Sequence, residues 1–351
     1  MSASRRKGRP GTLPRPFAVL FALALAGATA VAITLLPARA TLQLTVPSPA
    51  PPSPAPSPAP APLLGRSTYV GFVDTAADPG FDLPADARRT GVRWYALGHL
   101  VAGPDGCTSR WAGRLDFGHD PVANRIGRLR AAGADAGLIF GGPDGGEPAA
   151  TCTRPGALAA AYRRVVGAFD AGYIDFDLRT KSADHTATAV RRARAIRAMQ
   201  QERRLRVSFT LPLRPYGLAT RDLDTLRLTR EAGADIGAVN LLADIEPHGA
   251  PEGRMQRIAV ALHAARTQLA RVHDLADPNH AWGRLALTCV LKDRDDLSET
   301  DARKLAAFAD RYGLAWLSAR GADPEPGVTR ILWRMPDRTI GFPEEGRLLI
   351  R

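Results

Sequence analysis

Tyr173-Ile174-Asp175-Phe176-Asp177-Leu178-Arg179 is a short run in which acids alternate with apolar residues. Alternate residues of a β-strand share a face, so a strand over this run carries Asp175 and Asp177 side by side, with Arg179 following on the same face. Two neighbouring carboxylates repel, which raises one of their pKa values and marks a candidate proton-handling site. The plainer alternative is a pair of acids held by nearby arginines, Arg179 among them.

Outward from this run, apolar stretches of strand length recur at 69–73, 92–97, 136–140, 205–211, 236–242, 285–291 and 314–317. Between most of them lie stretches with helical spacing, at 155–169, 186–202, 254–272 and 299–312. Ser298 and Thr300 precede the last of these and Gly313 follows it, a start and a stop signal. Eight strand–helix alternations point to an α/β fold, a parallel (β/α)8 TIM barrel over 66–351, because about 250 residues is typical of that barrel. Its chemistry belongs at the C-terminal ends of the strands. The segment 329–351, with Ile331, Trp333 and Met335 alternating, suggests a short edge hairpin that closes the barrel or meets another chain.

In order along the chain come Val73-Asp74-Thr75, Gly106-Cys107 with Trp111 and Gly113, Phe140-Gly141-Gly142, Ile174-Asp175-Phe176-Asp177-Leu178, Val207-Ser208-Phe209-Thr210-Leu211-Pro212, Val239-Asn240-Leu241, and Trp316 with Arg320. This succession resembles the strand signatures of bacterial chitinases of glycoside hydrolase family 18, over nearly all of the barrel. The resemblance implies a retaining mechanism in which the substrate's N-acetyl oxygen attacks the anomeric carbon. A Glu closing an Asp-x-Asp-x-Glu motif protonates the leaving oxygen, and the Asp two residues earlier orients the acetamido group. In this register Asp177 matches the orienting Asp and Asp175 its supporting partner. Arg179 stands in the acid's place, and a guanidinium stays charged and delivers no proton near neutral pH.

Other elements depart together. Where the family has Met-x-Met-Asp-Tyr after its sixth strand, this chain has Leu242-Ala243-Asp244-Ile245-Glu246, and the Ser before Phe-Gly-Gly is Ile139. Asp244, Glu246, Asp293 and Asp295 are the candidates for a relocated acid. By the resemblance Trp316 floors the central sugar subsite, the alternative being a tryptophan of the barrel core. Arg320 and Asn240 are further candidate substrate contacts, and Arg320 suits a carboxylate or phosphate as well as a neutral sugar. The expected function is therefore a non-hydrolytic, chitinase-like carbohydrate-binding protein for N-acetylglucosamine-containing oligosaccharides or cell-wall glycans. The alternatives are a glycoside hydrolase with a relocated acid and a structural barrel whose cleft is vestigial. Arg179 paired to both Asp175 and Asp177 would favour the last.

Residues 1–40 carry Arg5, Arg6, Lys7, Arg9, Arg15 and Arg39 and no acid, half of the formal net charge of +12. The uncharged stretch 17–36 reads as an export signal or as a membrane anchor, its length favouring the anchor and Ala38-Arg39-Ala40 favouring cleavage. Within 41–65, residues 47–62 are only Pro, Ala and Ser, an extended stalk. The expected location is extracellular, secreted or tethered. Three cysteines fit an exported chain with one disulfide: Cys107 and Cys152 lie in expected loops and pair, while Cys289 lies inside an apolar run and stays free. The remaining arginines are dispersed and not interleaved with aromatics, so solvated faces, not nucleic-acid binding, are expected of them. No His-x-x-x-His pair, Gly-Lys-Ser/Thr loop or Gly-x-Ser-x-Gly elbow occurs, so neither a metal nor a cofactor is expected.

Overall fold

Ten strands form in the computed structural model, which describes residues 69–333 apart from 144, 155, 180, 181, 248 and 251. In chain order they are β1 (Val70–Asp74), β2 (Trp94–Ala102), β3 (Ser109–Trp111), β4 (Leu115–Asp116), β5 (Asp135–Gly141), β6 (Tyr173–Asp177), β7 (Arg206–Pro212), β8 (Ala238–Asp244), β9 (Leu285–Leu291) and β10 (Leu317–Gly321). The helices are α1 (Leu83–Thr90), α2 (Ile126–Ala131), α3 (Ala157–Ala168), α4 (His185–Glu202), α5 (Thr220–Glu231), α6 (Arg254–Val272), α7 (Glu299–Tyr312) and α8 (Pro326–Trp333). Parallel pairing runs through β1, β2, β5, β6, β7, β8, β9 and β10, and a bridge from Tyr69 to Leu317 closes the ring. This is the expected (β/α)8 barrel; β3 and β4 are an antiparallel insertion after β2.

Strand alternation sorts the residues of β5, β6 and β7 into two layers. Phe140, Phe176 and Phe209 point outward and stack beneath the helices, Phe140 and Phe176 with ring centroids 5.5 Å apart and Tyr162 of α3 edge-on to both. Tyr173, Asp175 and Asp177 point inward. The N-terminal end of the barrel is plugged by a separate apolar cluster that includes Val70, Ala96, Ile139, Ala286 and Trp316.

Local signals place the helices. Ser298 and Asp301 form a capping box on α7, and Gly313 ends it at φ 70°. The apolar run at 314–317 is not the last strand, which begins only at Leu317. Leu314, Ala315 and Trp316 are buried, and the chain approaches β9 through them: the Ala315 amide donates to the Leu285 carbonyl at 2.7 Å and the Leu287 amide to the Trp316 carbonyl at 3.1 Å, ahead of the regular register that starts at Leu317. The expected hairpin is also corrected. Ile331 and Trp333 lie in α8, where Pro326 occupies the first position and Val328 and Leu332, four residues apart, are the buried pair. Residues 334–351, the signal or anchor of 1–40 and the stalk of 41–65 lie outside the described residues. Among the described residues no helix is long and apolar enough to cross a membrane.

Several arginines have a structural use that the composition does not reveal. Arg93 donates to the carbonyls of Ala132 and Gly133 just past α2, and Arg130 to those of Phe169 and Asp170 past α3. Arg197 reaches Ala232 past α5, and Arg230 reaches Val272 at the end of α6. A guanidinium at a helix C-terminus satisfies orphan carbonyls and meets the negative end of the dipole. These side chains are therefore helix caps and not simply solvated faces.

Candidate functional site

Because β6 ends at Asp177, its two inward acids sit at different depths. Asp175 lies in the barrel interior, 2 % exposed. Thr210 Oγ1 donates to it at 2.6 Å, and Ser208 Oγ donates to its other oxygen. The polar chain continues around the barrel, since Asn240 Nδ2 donates to Thr210 Oγ1 at 3.0 Å and Thr288 Oγ1 donates to Asn240 Oδ1 at 2.8 Å. Tyr173 Oη meets Ser208 Oγ at 2.6 Å from below. Asn240 is thus engaged by its barrel neighbours on β7 and β9, beneath the mouth.

Burial pushes the Asp175 carboxyl up to about 6, with Asp177 adding to the rise, against the pull of Arg320, Ser208 and Thr210. Between about pH 4 and 6 the folded chain therefore holds a proton that the unfolded chain releases, so this group's contribution to stability falls as pH rises through that window. His185, His263 and His273 are held below their ordinary range, chiefly by burial, and act in the opposite sense nearby. The Asp175 contribution is accordingly read as a difference between chains. Each pKa unit is worth about 1.4 kcal/mol, so Asp175→Asn is expected to gain on the order of 1–3 kcal/mol relative to the natural chain between pH 4 and pH 7. Urea unfolding at the two pH values checks this, and a parallel response of both chains would refute it.

At the C-terminal mouth, Asp177 is 1 % exposed and clasped by two arginines. Arg179 donates from Nε to Oδ1 at 2.9 Å and from Nη2 to Oδ2 at 2.7 Å. Arg320, from the end of β10, donates from Nη1 to Oδ2 at 2.9 Å and lies 4.3 Å over the Phe72 ring. Burial alone would raise the Asp177 carboxyl. The contacts of His99 and Arg179 and the charge of Arg320 outweigh it and hold the group well below the usual carboxylate range. Arg179 pairs with Asp177 and makes no ion pair with Asp175.

His99 was not singled out in the sequence. It is 4 % exposed, with Nε2 3.7 Å from Asp177 Oδ2 and Nδ1 3.9 Å from Asp74 Oδ2, both beyond hydrogen-bond length. The available signal was its place just beyond the apolar run at 92–97, inside a strand that continues to Ala102. The Gly141-Gly142 pair makes room for this arrangement: a Cβ on Gly141 would come 2.4 Å from the Asp177 carbonyl oxygen, and one on Gly142 2.5 Å from the His99 ring. A second buried pair was also missed, Arg192 Nε on Glu147 at 2.6 Å, with Tyr162 donating to the same carboxylate.

The other candidates do not converge on Asp177. Trp316 is corrected from subsite floor to barrel core: it is 3 % exposed at the N-terminal end of the barrel, edge-on to Tyr173 with centroids 6.1 Å apart, at the opposite end from Asp177. Residues 314–316 precede the strand, so the side chain packs under the barrel. Glu246 is turned to α6, where Arg257 Nε donates to it at 2.9 Å and Arg254 bonds its carbonyl. The Arg257 hydrogen bond lowers the Glu246 pKa, so the group is ionised at neutral pH and has no proton to give. Asp244 is exposed at the end of β8, and Asp293 and Asp295 are exposed after β9. Ile245 is buried. Cys107 and Cys152 form a disulfide that ties the β2–β3 insertion to the loop before α3, and Cys289 is buried and free. Among the described residues no cluster of three or more His, Cys, Asp or Glu could hold a metal ion.

Comparison with protein-family models and with curated proteins finds no match. Solved structures do match. The catalytic domain of a hyperthermophilic chitinase from Pyrococcus furiosus is 20% identical with a TM-score of 0.66, covering 76% of this chain and 95% of that one. A family-18 chitinase from Pseudoalteromonas aurantia is 12% identical with a TM-score of 0.55, covering 76% and 98%. A family-18 N-acetylglucosaminidase from Paenibacillus barengoltzii is 10% identical with a TM-score of 0.51, covering 76% and 99%. The fold is thus that of family-18 chitinase catalytic domains.

Proposed function

We propose that this protein binds N-acetylglucosamine-containing glycans without hydrolysing them. The observation that carries the reading is the ion pair of Arg179 with Asp177. The position that holds the general acid in the resembling family carries a fixed cation, and that cation occupies the carboxylate next to it. Glycan binding is supported by the shared fold and by the Pyrococcus furiosus chitinase, whose catalytic-site mutants form complexes with chito-oligosaccharides. Because Trp316 is core, the binding surface of the reading is the mouth around Asp177, Arg179, Arg320 and His99.

The reading places the barrel outside the cytoplasmic membrane, secreted or tethered by its N-terminal segment. The Cys107–Cys152 disulfide supports an oxidising compartment. Titration of the full-length chain with N-acetylglucosamine oligomers tests the proposal. Saturable binding is expected, weakened about tenfold or more by Arg320→Ala, which removes a buried donor at the mouth. No saturable binding would sink it.

An active hydrolase with a relocated acid is the second reading, favoured by the exposed position of Asp244 at the end of β8. It requires that any turnover be lost on Asp244→Ala.

A further inference from the structure

Away from the mouth, the outer wall of the barrel has a preformed slot between α6 and α7. Aromatic rings prop it at the N-terminal end of the barrel. His263 of α6 meets Tyr312 of α7 with centroids 5.1 Å apart, and Trp282, from the turn before β9, stacks on Tyr312 at 4.6 Å. At the mouth end Arg254 Nη2 donates to Asp301 Oδ2 at 2.5 Å, both side chains largely buried. Helix spacing follows the side chains at the contact, so rings at one end and an ion pair at the other keep the two helices from closing between them.

The slot that remains has a volume of about 730 Å³. Met255, Ile258 and Leu262 of α6 and Leu305 and Phe308 of α7 line it. An apolar stripe with this spacing is ordinarily covered in a water-soluble fold, yet Ile258 and Phe308 are only half-buried. Glu252 and Lys304 stand exposed on the rim, and neither joins an ion pair among the described residues.

The chain supplies a matching occupant. α8 packs beside α7, with Gly327 close against the Glu299 side chain, and ends at Trp333, whose ring lies 6.3 Å from that of Tyr69 at the N-terminal end of the barrel. From there the chain continues through 334–351. That stretch holds one run of three apolar residues, Leu348-Leu349-Ile350, set between Arg347 and Arg351 and preceded by Glu344-Glu345. Fifteen positions separate Trp333 from Leu348, about 50 Å when extended. Passing under α7 and rising into the slot takes about 30 Å, one helix spacing plus the length of a 14-residue helix. The charges are complementary, with acids for Lys304 and arginines for Glu252. A segment on so short a tether stands at an effective concentration on the order of millimolar, which favours it over a separate partner.

We propose that Leu348-Leu349-Ile350 docks in the slot between α6 and α7 of its own chain and closes the outer wall of the barrel. Burial of the three side chains against Ile258, Leu262, Leu305 and Phe308 drives the contact, and the flanking charges set its register on Glu252 and Lys304.

Hydrogen–deuterium exchange of the full-length chain, read by mass spectrometry, tests this. Amides of 346–351 are expected to exchange about tenfold or more slowly than those of an unstructured chain. In the triple variant Leu348→Asp, Leu349→Asp, Ile350→Asp that protection is lost, and peptides of 255–262 and 301–308 exchange faster. The cysteine pair Ala259→Cys with Leu349→Cys should close into an intramolecular disulfide under mild oxidation in dilute solution. Unprotected exchange of 346–351 in the natural chain overturns the inference whether or not a variant folds. A disulfide-linked dimer in place of the closed monomer also overturns it, because the slot then takes the tail of a second copy. Protection of 346–351 with α6 and α7 unaffected by the triple variant overturns it too, because the tail then docks elsewhere.

Discussion

The full-length chain is expected to release no product from N-acetylglucosamine oligomers, and Arg179→Glu is expected to restore slow, measurable turnover. General-acid assistance contributes roughly 10²–10⁴-fold, and a fixed cation beside an oxocarbenium-like transition state adds repulsion. Both penalties act in the natural chain through one side chain. In Arg179→Glu the new carboxyl lies beside the buried Asp177, whose charge raises its neighbour's pKa and so favours the protonated form an acid needs. Arg320 still neutralises Asp177 at 2.9 Å, so the variant keeps its orienting carboxylate ionised. Turnover stays slow because the acetamido contacts of the sixth strand are absent: Ile245 is buried and Glu246 is bound to Arg257. Chromatographic detection of released sugar decides between outcomes. Turnover by the natural chain would overturn the non-hydrolytic reading, and silence in both chains would point away from chitin-like substrates.

Asp177→Ala is expected to destabilise the barrel by about 3–5 kcal/mol, the cost of breaking a buried pair from one side. The reason is asymmetry of burial. Arg320 has a side chain 6% exposed and would keep its charge with no carboxylate beside it, whereas Arg179 can turn to solvent. Removing Arg179 instead leaves Asp177 bonded to Arg320, and Arg179→Ala should cost only about 1 kcal/mol, as for a charge-assisted bond at a partly exposed site. Denaturant midpoints of the two variants measure the contrast. Similar losses for both would mean that Arg320 relaxes outward and that the pair is not anchored by its buried member. The depressed Asp177 pKa adds a pH signature: its stabilisation is present above the ordinary carboxylate range and is lost as pH falls below about 4, where Asp177→Ala and the natural chain should converge.

The grouping of Asp177 with Arg179 was legible in one short run, because strand alternation puts Asp175, Asp177 and Arg179 on a common face whatever surrounds them. Arg320 was legible from its spacing, and the disulfide from two cysteines in loops. His99 was not, since a lone histidine beyond an apolar run looks like any other until the fold brings Asp74 and Asp177 to either side of it. Trp316 misled for a related reason. An apolar residue next to a strand carries no label for the end of the barrel it fills, and only its position just before β10, edge-on to Tyr173 at the start of β6, places it below. Glu246 had the right type and place in the chain for an acid, yet Arg257, eleven residues on, claims its carboxylate.

By itself the sequence determined the barrel, because period-two and helical patterns alternate eight times and local caps mark the helix ends, all of which act over a few residues. It also determined that a guanidinium follows the two acids of this run at position 179, since that is a matter of identity alone. Tertiary structure alone decided which charges meet. The pairing of Asp177 with Arg320 joins residues 143 positions apart in the chain, and the burial that raises Asp175 while Asp177 stays ionised depends on depth within a closed ring of strands. Depth and long-range charge pairing are properties of the closed barrel, and no short window of sequence contains them.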